Sequence, residues 1–370
     1  MIGKIRNMQT KSSTIVKRSI RSPLKPAKFY ADELDRSSRK NSDRLGFQSA
    51  VACLDDASHG STVFRHTKAI ADGLQIPIKI IHVLQCANPQ NGPSDPIQWQ
   101  LQHREACDHL RHMLGEENEN LLTQDQILLS GLVDDELARW ARQHSGSLMA
   151  ITTRCDPTEN HGHTYHHLGS AAQKLLDSSA ASMLFVPPEA TGDEFVRYQR
   201  IVIPLDGSCR AESILPIAIR IARHHGAELV LVHVVPKPEI LESSTDDKEA
   251  RELLKRVRQY NEQNVRSYLD SLKLRLHDES VSIKAVISSE GDPRDRLLAI
   301  ANDHQADLIV MSARGRSGLT DISCGNIARH VATHSNIPLL MIRQQGSDFR
   351  NPDKSPRQSR GPGLFWKSAH

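Results

Sequence analysis

The stretch IVIPLDGS (201–208) decides the fold, because the chain contains a second copy of its pattern. In AVACLDDAS (50–58) an apolar run leads to Asp55, as the first stretch leads to Asp206. A second apolar run with an internal histidine follows each aspartate, as IKIIHVL and as ELVLVHVV. The offset of 151 residues is the same at both positions, so the sequence predicts a tandem duplication.

Alternating strand and helix patterns continue in each half. The segment 128–152 is matched by 287–312, and the halves end in apolar runs at 182–187 and 337–343. Continuous apolar runs separated by amphipathic helices are typical of a parallel sheet with both faces covered. The sequence therefore predicts two α/β domains, each with an open parallel sheet.

Helix signals are clearest in the second half. One helix is predicted to end at Gly226, with Pro216 in its first turn, where the missing N–H breaks no helical hydrogen bond. A long amphipathic helix is predicted from about 246 to 276, and a shorter one from about 294 to 304. The residues expected to face the core are Ile214, Leu215, Ala218, Ile221 and Ala222 in the first helix and Leu253, Leu254, Val257, Leu269, Leu272 and Leu276 in the long one.

The formal net charge of +3 conceals two basic ends around an acidic body. Residues 1–45 carry 12 Lys/Arg against 4 Asp/Glu, and 344–370 carry 5 against 2, whereas 46–343 carry 30 against 38. Because such ends bury too little apolar surface to offset the entropy of ordering, we expect disordered tails at 1–45 and 346–370. Between them we expect a first domain at 46–190, a linker at 191–199 and a second domain at 200–345.

Composition excludes several classes of protein. No run of about 18 apolar residues is present, so no membrane-spanning helix is expected. The N-terminus lacks the apolar segment of a secretory signal; its composition fits an organelle transit peptide or, the interpretation we favour, a plain disordered tail. The six cysteines form no CxxC pair, so we expect a reducing compartment and a cytoplasmic protein.

Patterns of catalysis and of nucleic-acid binding are absent. The sequence contains no GxxxxGK[ST], GxSxG or HExxH motif. Glu136 and Glu212 fall on predicted helices without a facing carboxylate, so acid–base catalysis has no support. Aromatic residues make up 4% of the chain, and the basic tail offers Phe29 and Tyr30, which argues against stacking on single-stranded nucleic acid.

A glycine-containing turn is the sharpest candidate site. In LIVMSARGRSGLTDISCGN (308–326) a predicted buried strand is followed by this turn and then by a helix that begins near Gly325. A glycine turn before a helix N-terminus offers backbone N–H groups to an anion. Gly315 and Gly318 allow the backbone to approach a phosphate, and Arg314 or Arg316 adds positive charge.

Four motifs together resemble the universal stress protein domain: IVIPLDGS, the HVV that ends the second strand, the GDP turn at 291–293, and DLIVMSARGRSGL with GNIARHVATHSNIPLLMIR. The resemblance covers both halves, roughly 47–188 and 198–343. It implies an adenine-nucleotide α-hydrolase-like, Rossmann-like α/β fold with five parallel strands per domain and a nucleotide at the strand carboxyl ends. It also implies that the two domains pair through their last strands, as a pseudo-dimer within one chain.

The resemblance implies a nucleotide site in the second half. Asp206 stands where family members hold the ribose hydroxyls, and Val234 where the backbone contacts the adenine edge. The family's G-x2-G-x9-G-[ST] motif falls on Ser312, Gly315, Gly325 and Asn326, so two of its four positions differ. Together with the glycine turn, the resemblance predicts that the ligand is ATP or AMP, with or without Mg²⁺. The predicted binding residues are Asp206, Val234, Ser312, Gly315, Arg316, Gly318, Gly325 and Asn326.

The first half departs further from that motif. Asp55 is retained and Gly169 and Ser170 match the last pair, but Thr152 and Cys155 replace the first two glycines. Thirteen residues separate Cys155 from Gly169 where the motif has nine. The sequence therefore predicts that the first half has lost the phosphate cradle, the glycine turn whose backbone N–H groups face a phosphate.

Several histidines are candidate metal ligands, but we favour a structural role for them. HGHTYHH (161–167) places four histidines near Cys155, but the spacing fits no named zinc pattern, and a solvated loop is favoured. His82 and His233 lie inside apolar strands and are expected to be core residues. No metal site is therefore predicted.

Two functions remain open at this point. The favoured one is a stress-response protein that binds or senses an adenine nucleotide, with any ATP hydrolysis slow and incidental. The alternative is a nucleotide-free scaffold for a protein or a small ligand, and further association of whole chains is left open. An ATP-using enzyme of the wider α-hydrolase group would need an SGGxDS-type loop after the first strand, where this chain has LDDAS and LDGS.

Overall fold

A computed structural model describes most of the predicted body of the chain. The described residues are 47–54, 60–85, 96–115, 125–153, 168–178, 181–188, 190, 195–235, 248–289, 291–315 and 324–344. The predicted tails at 1–45 and 346–370 lie outside them, as do 191–194 of the predicted linker. The domain boundaries and the disorder of the tails therefore stay predictions.

Strands and helices alternate along the described residues. The strands are β1 Ser49–Leu54, β2 Ile78–Gln85, β3 Gln126–Gly131, β4 Ser147–Thr152, β5 Ser182–Val186, β6 Arg200–Pro204, β7 Glu228–Val234, β8 Ile283–Ser288, β9 Leu308–Ser312 and β10 Leu339–Ile342. The helices are α1 Gly60–Leu74, α2 Pro96–Leu114, α3 Val133–Gln143, α4 Ser170–Ser178, α5 Cys209–Glu212, α6 Leu215–His225, α7 Lys248–Arg275, α8 Pro293–Asp303 and α9 Asn326–His334.

All ten of these strands form one sheet in the order β3-β2-β1-β4-β5-β10-β9-β6-β7-β8. Neighbours within each half are parallel, and the antiparallel pair β5 and β10 joins the halves. In that pair Leu340 lies opposite Leu184 and Met341 opposite Met183. The predicted fold class, two five-stranded parallel α/β units joined through their last strands, is confirmed.

The prediction for α6 is also confirmed. Gly226 ends this helix in the left-handed conformation, with φ of 70°, and Pro216 lies in its first turn. The five residues predicted to face the core are all buried. Local signals sufficed here because the buried residues of this helix recur from its first residue, Leu215, to its last, His225.

The prediction for α7 is correct in only one part of the helix. Leu269 and Leu272 are buried, whereas Leu253 and Val257 are 56% and 36% exposed, and Leu254 and Leu276 are half-buried. A helix of 28 residues is about 42 Å long, and β8, which it packs against, has six residues and spans about 20 Å. The first turns of α7 therefore extend past the strand, which the apolar period alone does not reveal.

Tyr198, from the predicted linker, is buried between the two halves. Its hydroxyl lies 2.9 Å from Nδ1 of His66 on α1, and its ring packs edge-on against His225 on α6. Nε2 of His225 lies 3.1 Å from the carbonyl oxygen of Ala69, and Arg220 donates to the carbonyl of Leu74. The α1–α6 contact is thus a second junction between the halves, beside the β5–β10 pair.

Lowering the pH from 7 to 5 is expected to cost the fold about 2 kcal/mol through His66. Burial lowers the pKa of His66 to about 4, whereas an unfolded histidine titrates near 6.5. The unfolded chain therefore binds more protons between these values, so this stabilisation is complete above pH 6.5 and is lost as the pH falls toward 4. Nε2 of His66 is buried without a partner among the described residues, so a proton there gains no acceptor among them.

Urea unfolding at pH 7 and pH 5 measures this effect. The variant His66→Phe, which does not titrate, should lose about 2 kcal/mol less than the wild type on acidification. His109→Gln, at an exposed position on α2, should behave like the wild type. Equal losses in the wild type and His66→Phe would show that His66 does not carry the pH dependence.

Candidate functional site

The topology creates a crevice at the carboxyl ends of β6 and β9. The chain leaves β6 toward β7 on one side and returns to β9 on the other, so the connections diverge between these two strands. Ligands of open parallel sheets bind at such a switch point. Asp206 follows β6 and Gly315 follows β9, so two predicted site residues border the crevice.

The carboxylate of Asp206 is held in place by its own loop. Its Oδ1 accepts hydrogen bonds from the backbone N–H and the hydroxyl of Ser208, at 3.0 and 2.6 Å. The same hydroxyl oxygen accepts from the N–H of Ala211 at 3.1 Å and caps α5. Ser208, the N-cap of this short helix, thereby fixes one carboxylate oxygen of Asp206 and so orients the other.

Gly315 lies directly against that other oxygen. A Cβ at position 315 would stand 2.5 Å from Oδ2 of Asp206, closer than real Cβ contacts allow. A residue with a Cβ here would therefore force the carboxylate or the turn to shift. From the sequence, Gly315 was expected to let the backbone approach a phosphate. Its contact with the carboxylate of Asp206 was not expected.

Gly325 connects the turn to α9. Its N–H donates to the carbonyl of Ala313 at 2.8 Å, and its own carbonyl accepts from Arg329 in the first turn of the helix. Because α9 begins at Asn326, the positive end of its helix dipole lies beside the turn that follows β9. Helix ends of this kind stabilise anions.

Two substituted motif positions differ in their surroundings. The hydroxyl of Ser312 donates to the carbonyl of Arg314 at 2.9 Å, so it is engaged within the turn. Asn326 is the exposed first residue of α9. Val234 is the half-buried last residue of β7, and Arg316 and Gly318 lie outside the described residues.

Tyr268 of α7 and His233 form one wall of the crevice. The sequence did not predict the contribution of Tyr268. Its ring lies edge-on to His233, with centroids 6.4 Å apart. Burial raises the pKa of Tyr268, and the carboxylates of Glu212 and Asp206 raise it further. Burial lowers the pKa of His233, against the opposing charge of Asp206. Near neutral pH the side chains of Tyr268 and His233 are therefore uncharged.

The two strand histidines have different environments. His82 is buried, with Nδ1 3.0 Å from the carbonyl oxygen of Leu54, as expected of a core residue. His233 is half-buried and borders the crevice, so its assignment to the core is corrected. The difference arises because His233 lies one residue from the carboxyl end of its strand, next to the residues of the site.

In the first half, Ser170 begins α4 and its hydroxyl donates to the carboxylate of Asp134 at 3.1 Å. A protein carboxylate thus already lies at this helix start. Asp55, Cys155 and the loop 161–167 fall outside the described residues, so the predicted loss of the cradle stays a prediction.

The described residues contain neither a cluster of metal ligands nor a helix that could cross a membrane. Within the described ranges, no three His, Cys, Asp or Glu side chains are grouped so that they could hold a metal ion. None of the described helices combines the length and apolar character needed to cross a membrane.

Comparison with known proteins gives a consistent result. Residues 197–343 match the universal stress protein family. Universal stress protein MJ0531 of Methanocaldococcus jannaschii is 30% identical over 149 residues, which are 40% of this chain and 83% of that protein. MJ0577 of the same organism is 26% identical over 161 residues, 41% of this chain and 99% of that protein.

A solved structure matches both halves together. The universal stress protein from Archaeoglobus fulgidus aligns with 80% of this chain and 98% of its own, with a TM-score of 0.55 and 16% identity. At that identity the match concerns the fold alone. It extends over both five-stranded units.

Proposed function

The chain belongs to the universal stress protein family, and we propose that its second half binds an adenine nucleotide, ATP or AMP, in the crevice between β6 and β9. One observation carries the proposal: the fixed carboxylate of Asp206 lies against Gly315, beside the start of α9. A carboxylate accepts hydrogen bonds from ribose hydroxyls, and a helix N-terminus after a glycine turn suits phosphate. Sugar and phosphate groups thus have matching partners at one switch point.

The roles of the remaining residues follow from this orientation. With ribose on Asp206 and phosphate near Gly325 and Asn326, the base extends toward the end of β7, where Val234 offers its backbone. Tyr268 and His233 supply an aromatic wall on that side. Mg²⁺ accompanies the phosphates if ATP is the ligand, and any hydrolysis is slow and incidental to binding.

We further propose that the chain is a tandem member of the family, with domains at 46–190 and 200–345. The strand order of each half, with the first strand between the second and the fourth, supports this, as does the structural match over 80% of the chain. The role is that of a cytoplasmic stress-response protein that senses adenine nucleotide. The thiols of Cys53, Cys107 and Cys324, which form no disulfide, suit a reducing compartment.

A nucleotide-free scaffold for a protein or small ligand is the second candidate. The observation that favours it is the side chain of Ser312, which stands where binding members have glycine and closes on the carbonyl of Arg314. The two candidates differ in one measurable property, the affinity for nucleotide.

Asp206→Asn is expected to weaken ATP binding about 10- to 100-fold, because hydrogen bonds to a charged group contribute about 1.5–3 kcal/mol. Asparagine keeps the shape and the contact with Gly315 but loses the charge. Asp55→Asn, at the matching position of the first half, is the control and should bind like the wild type. Calorimetric titration with ATP measures all three proteins.

The possible results separate the candidates. Loss of affinity in Asp206→Asn alone supports the proposal. Loss in Asp55→Asn alone would move the site to the first half. A wild type that releases no binding heat with ATP or AMP would overturn nucleotide binding and leave the scaffold.

A further inference from the structure

The orientation of the Asp206 carboxylate depends on the position of α5, a helix of four residues. Ser208 caps this helix, and its hydroxyl also donates to Oδ1 of Asp206 at 2.6 Å. A single helical turn has too few internal hydrogen bonds to be stable alone, so contacts with other elements hold α5 in place. A displacement of α5 therefore displaces the carboxylate that we assign to ribose.

The long helix α7 lies against Glu212, the last residue of α5. Nη2 of Arg275 is 2.8 Å from Oε2 of Glu212, whose side chain is only 17% exposed. Tyr268 lies about two turns before Arg275 on the same face of α7. Its hydroxyl is buried, and after burial the carboxylate of Glu212 is the largest cause that raises its pKa. Two residues of α7 thus lie beside the end of α5.

Gln344 holds α5 from the other direction. It lies two residues beyond the end of β10, and its Nε2 donates to the carbonyl of Arg210 at 3.2 Å and to the hydroxyl of Ser213. The Ser213 hydroxyl in turn donates to the carbonyl of Arg210 at 2.8 Å. In the sheet, β10 and β8, the strand against which α7 packs, lie on opposite sides of β6. The short helix is therefore anchored to both sides of the second-half sheet.

The charges at the end of α5 connect the Arg275–Glu212 pair to Asp206. After burial, Glu212 and then Asp206 raise the pKa of the Tyr268 hydroxyl. Arg275 lowers it, so two carboxylates and one guanidinium act on the same hydroxyl. Loss of the guanidinium would leave one opposing charge fewer against the repulsion between the carboxylates. Because Glu212 is largely shielded from water, this repulsion is weakly screened and would displace α5.

We propose that Glu212, Arg275 and Gln344 are positioning residues of the second-half site, which hold α5 so that the carboxylate of Asp206 faces the ribose and thereby set the affinity for adenine nucleotide. The inference rests on the proposed function. Each of the three residues acts through α5 and its cap, Ser208. Because coupling between two sites is reciprocal, a bound nucleotide should in turn tighten the contact between α5 and α7.

Calorimetric titration with ATP tests the role of the ion pair. Arg275→Met should lower the ATP affinity about 10-fold, within the range of coupling between linked sites. Arg275→Lys keeps the positive charge and should stay within about 3-fold of the wild type. Arg223→Met is the matched control, because Arg223 belongs to another partly exposed ion pair of the second half, with Glu279, and it should bind ATP like the wild type.

Gln344→Ala tests the second anchor and should weaken ATP binding about 5-fold. Its matched control is Gln173→Ala, because Gln173 donates to the carboxylate of Asp177 at 2.7 Å in the first half. Thermal unfolding separates positioning from folding. Since a partly exposed ion pair contributes little to stability, the melting temperature of Arg275→Met should fall by less than about 4 °C.

Hydrogen exchange gives a readout that a purely structural role would not change. Saturating ATP should slow the exchange of backbone amides in α5 and in the last two turns of α7 of the wild type. In Arg275→Met, saturating ATP should no longer slow exchange at the end of α7. Equal exchange at the end of α7 with and without ATP in the wild type would contradict the coupling.

The possible results separate this inference from the proposed function. Unchanged ATP affinity in Arg275→Met and Gln344→Ala, with the expected loss in Asp206→Asn, would overturn the inference while nucleotide binding stands. Equal losses in Arg275→Lys and Arg275→Met would overturn the role assigned to the charge of the pair. A wild type that does not bind ATP would overturn the proposed function and this inference together.

Discussion

Replacing Tyr198 with alanine is expected to destabilise the chain by about 3–5 kcal/mol, the cost of removing a large buried aromatic side chain. Tyr198 is 1% exposed and lies between α1 and α6, so the cavity would open at the junction of the halves. The loss of its hydrogen bond leaves both nitrogens of His66 without a partner among the described residues. Urea unfolding at pH 7 measures the change.

Two further variants test the origin of this cost. Tyr198→Phe removes the hydroxyl and keeps the ring, so about 1 kcal/mol should be lost. Phe195→Ala, three residues earlier at a position 76% exposed, should change stability by less than about 0.5 kcal/mol. A loss below about 1 kcal/mol in Tyr198→Ala would show that the linker does not hold the halves together.

Gly315→Ala is expected to abolish detectable ATP binding and to destabilise the fold by about 1–3 kcal/mol, as overpacking does. The new methyl group would meet Oδ2 of Asp206 at 2.5 Å, so the turn or the carboxylate must move. Either movement separates the groups that we assign to ribose and phosphate. Calorimetry with ATP and thermal unfolding measure the two effects.

A double-mutant cycle isolates the contact. In an Asp206→Ala background the facing carboxylate is absent, so adding Gly315→Ala should cost less than about 0.5 kcal/mol in stability. The same cost in both backgrounds would mean that the clash with Asp206 does not explain the requirement for glycine.

The architecture could be predicted because its signals are repeated and local. The duplicated apolar runs predicted the parallel strands, Gly226 predicted the end of α6, and the family resemblance implied the pairing of the last strands. The face of α7 was predicted incorrectly at Leu253 because an apolar period shows which residues share a face and not how far the neighbouring sheet extends.

The site was predictable as a set of residues and not as a set of contacts. Asp206 and Gly315 were both expected, but their mutual contact depends on how β6 and β9 are placed side by side. Tyr268 belongs to no motif. Its neighbours His233 and Glu212 come from elements far apart in sequence, so only the folded chain brings it to the crevice.

Titration of the nucleotide-stripped full chain with ATP tests the central claim most directly, because its stoichiometry counts the sites. We predict one molecule of ATP bound per chain, in the second half, and none in the first. Two molecules per chain, or no binding at all, would contradict a single nucleotide site built on Asp206 and Gly315.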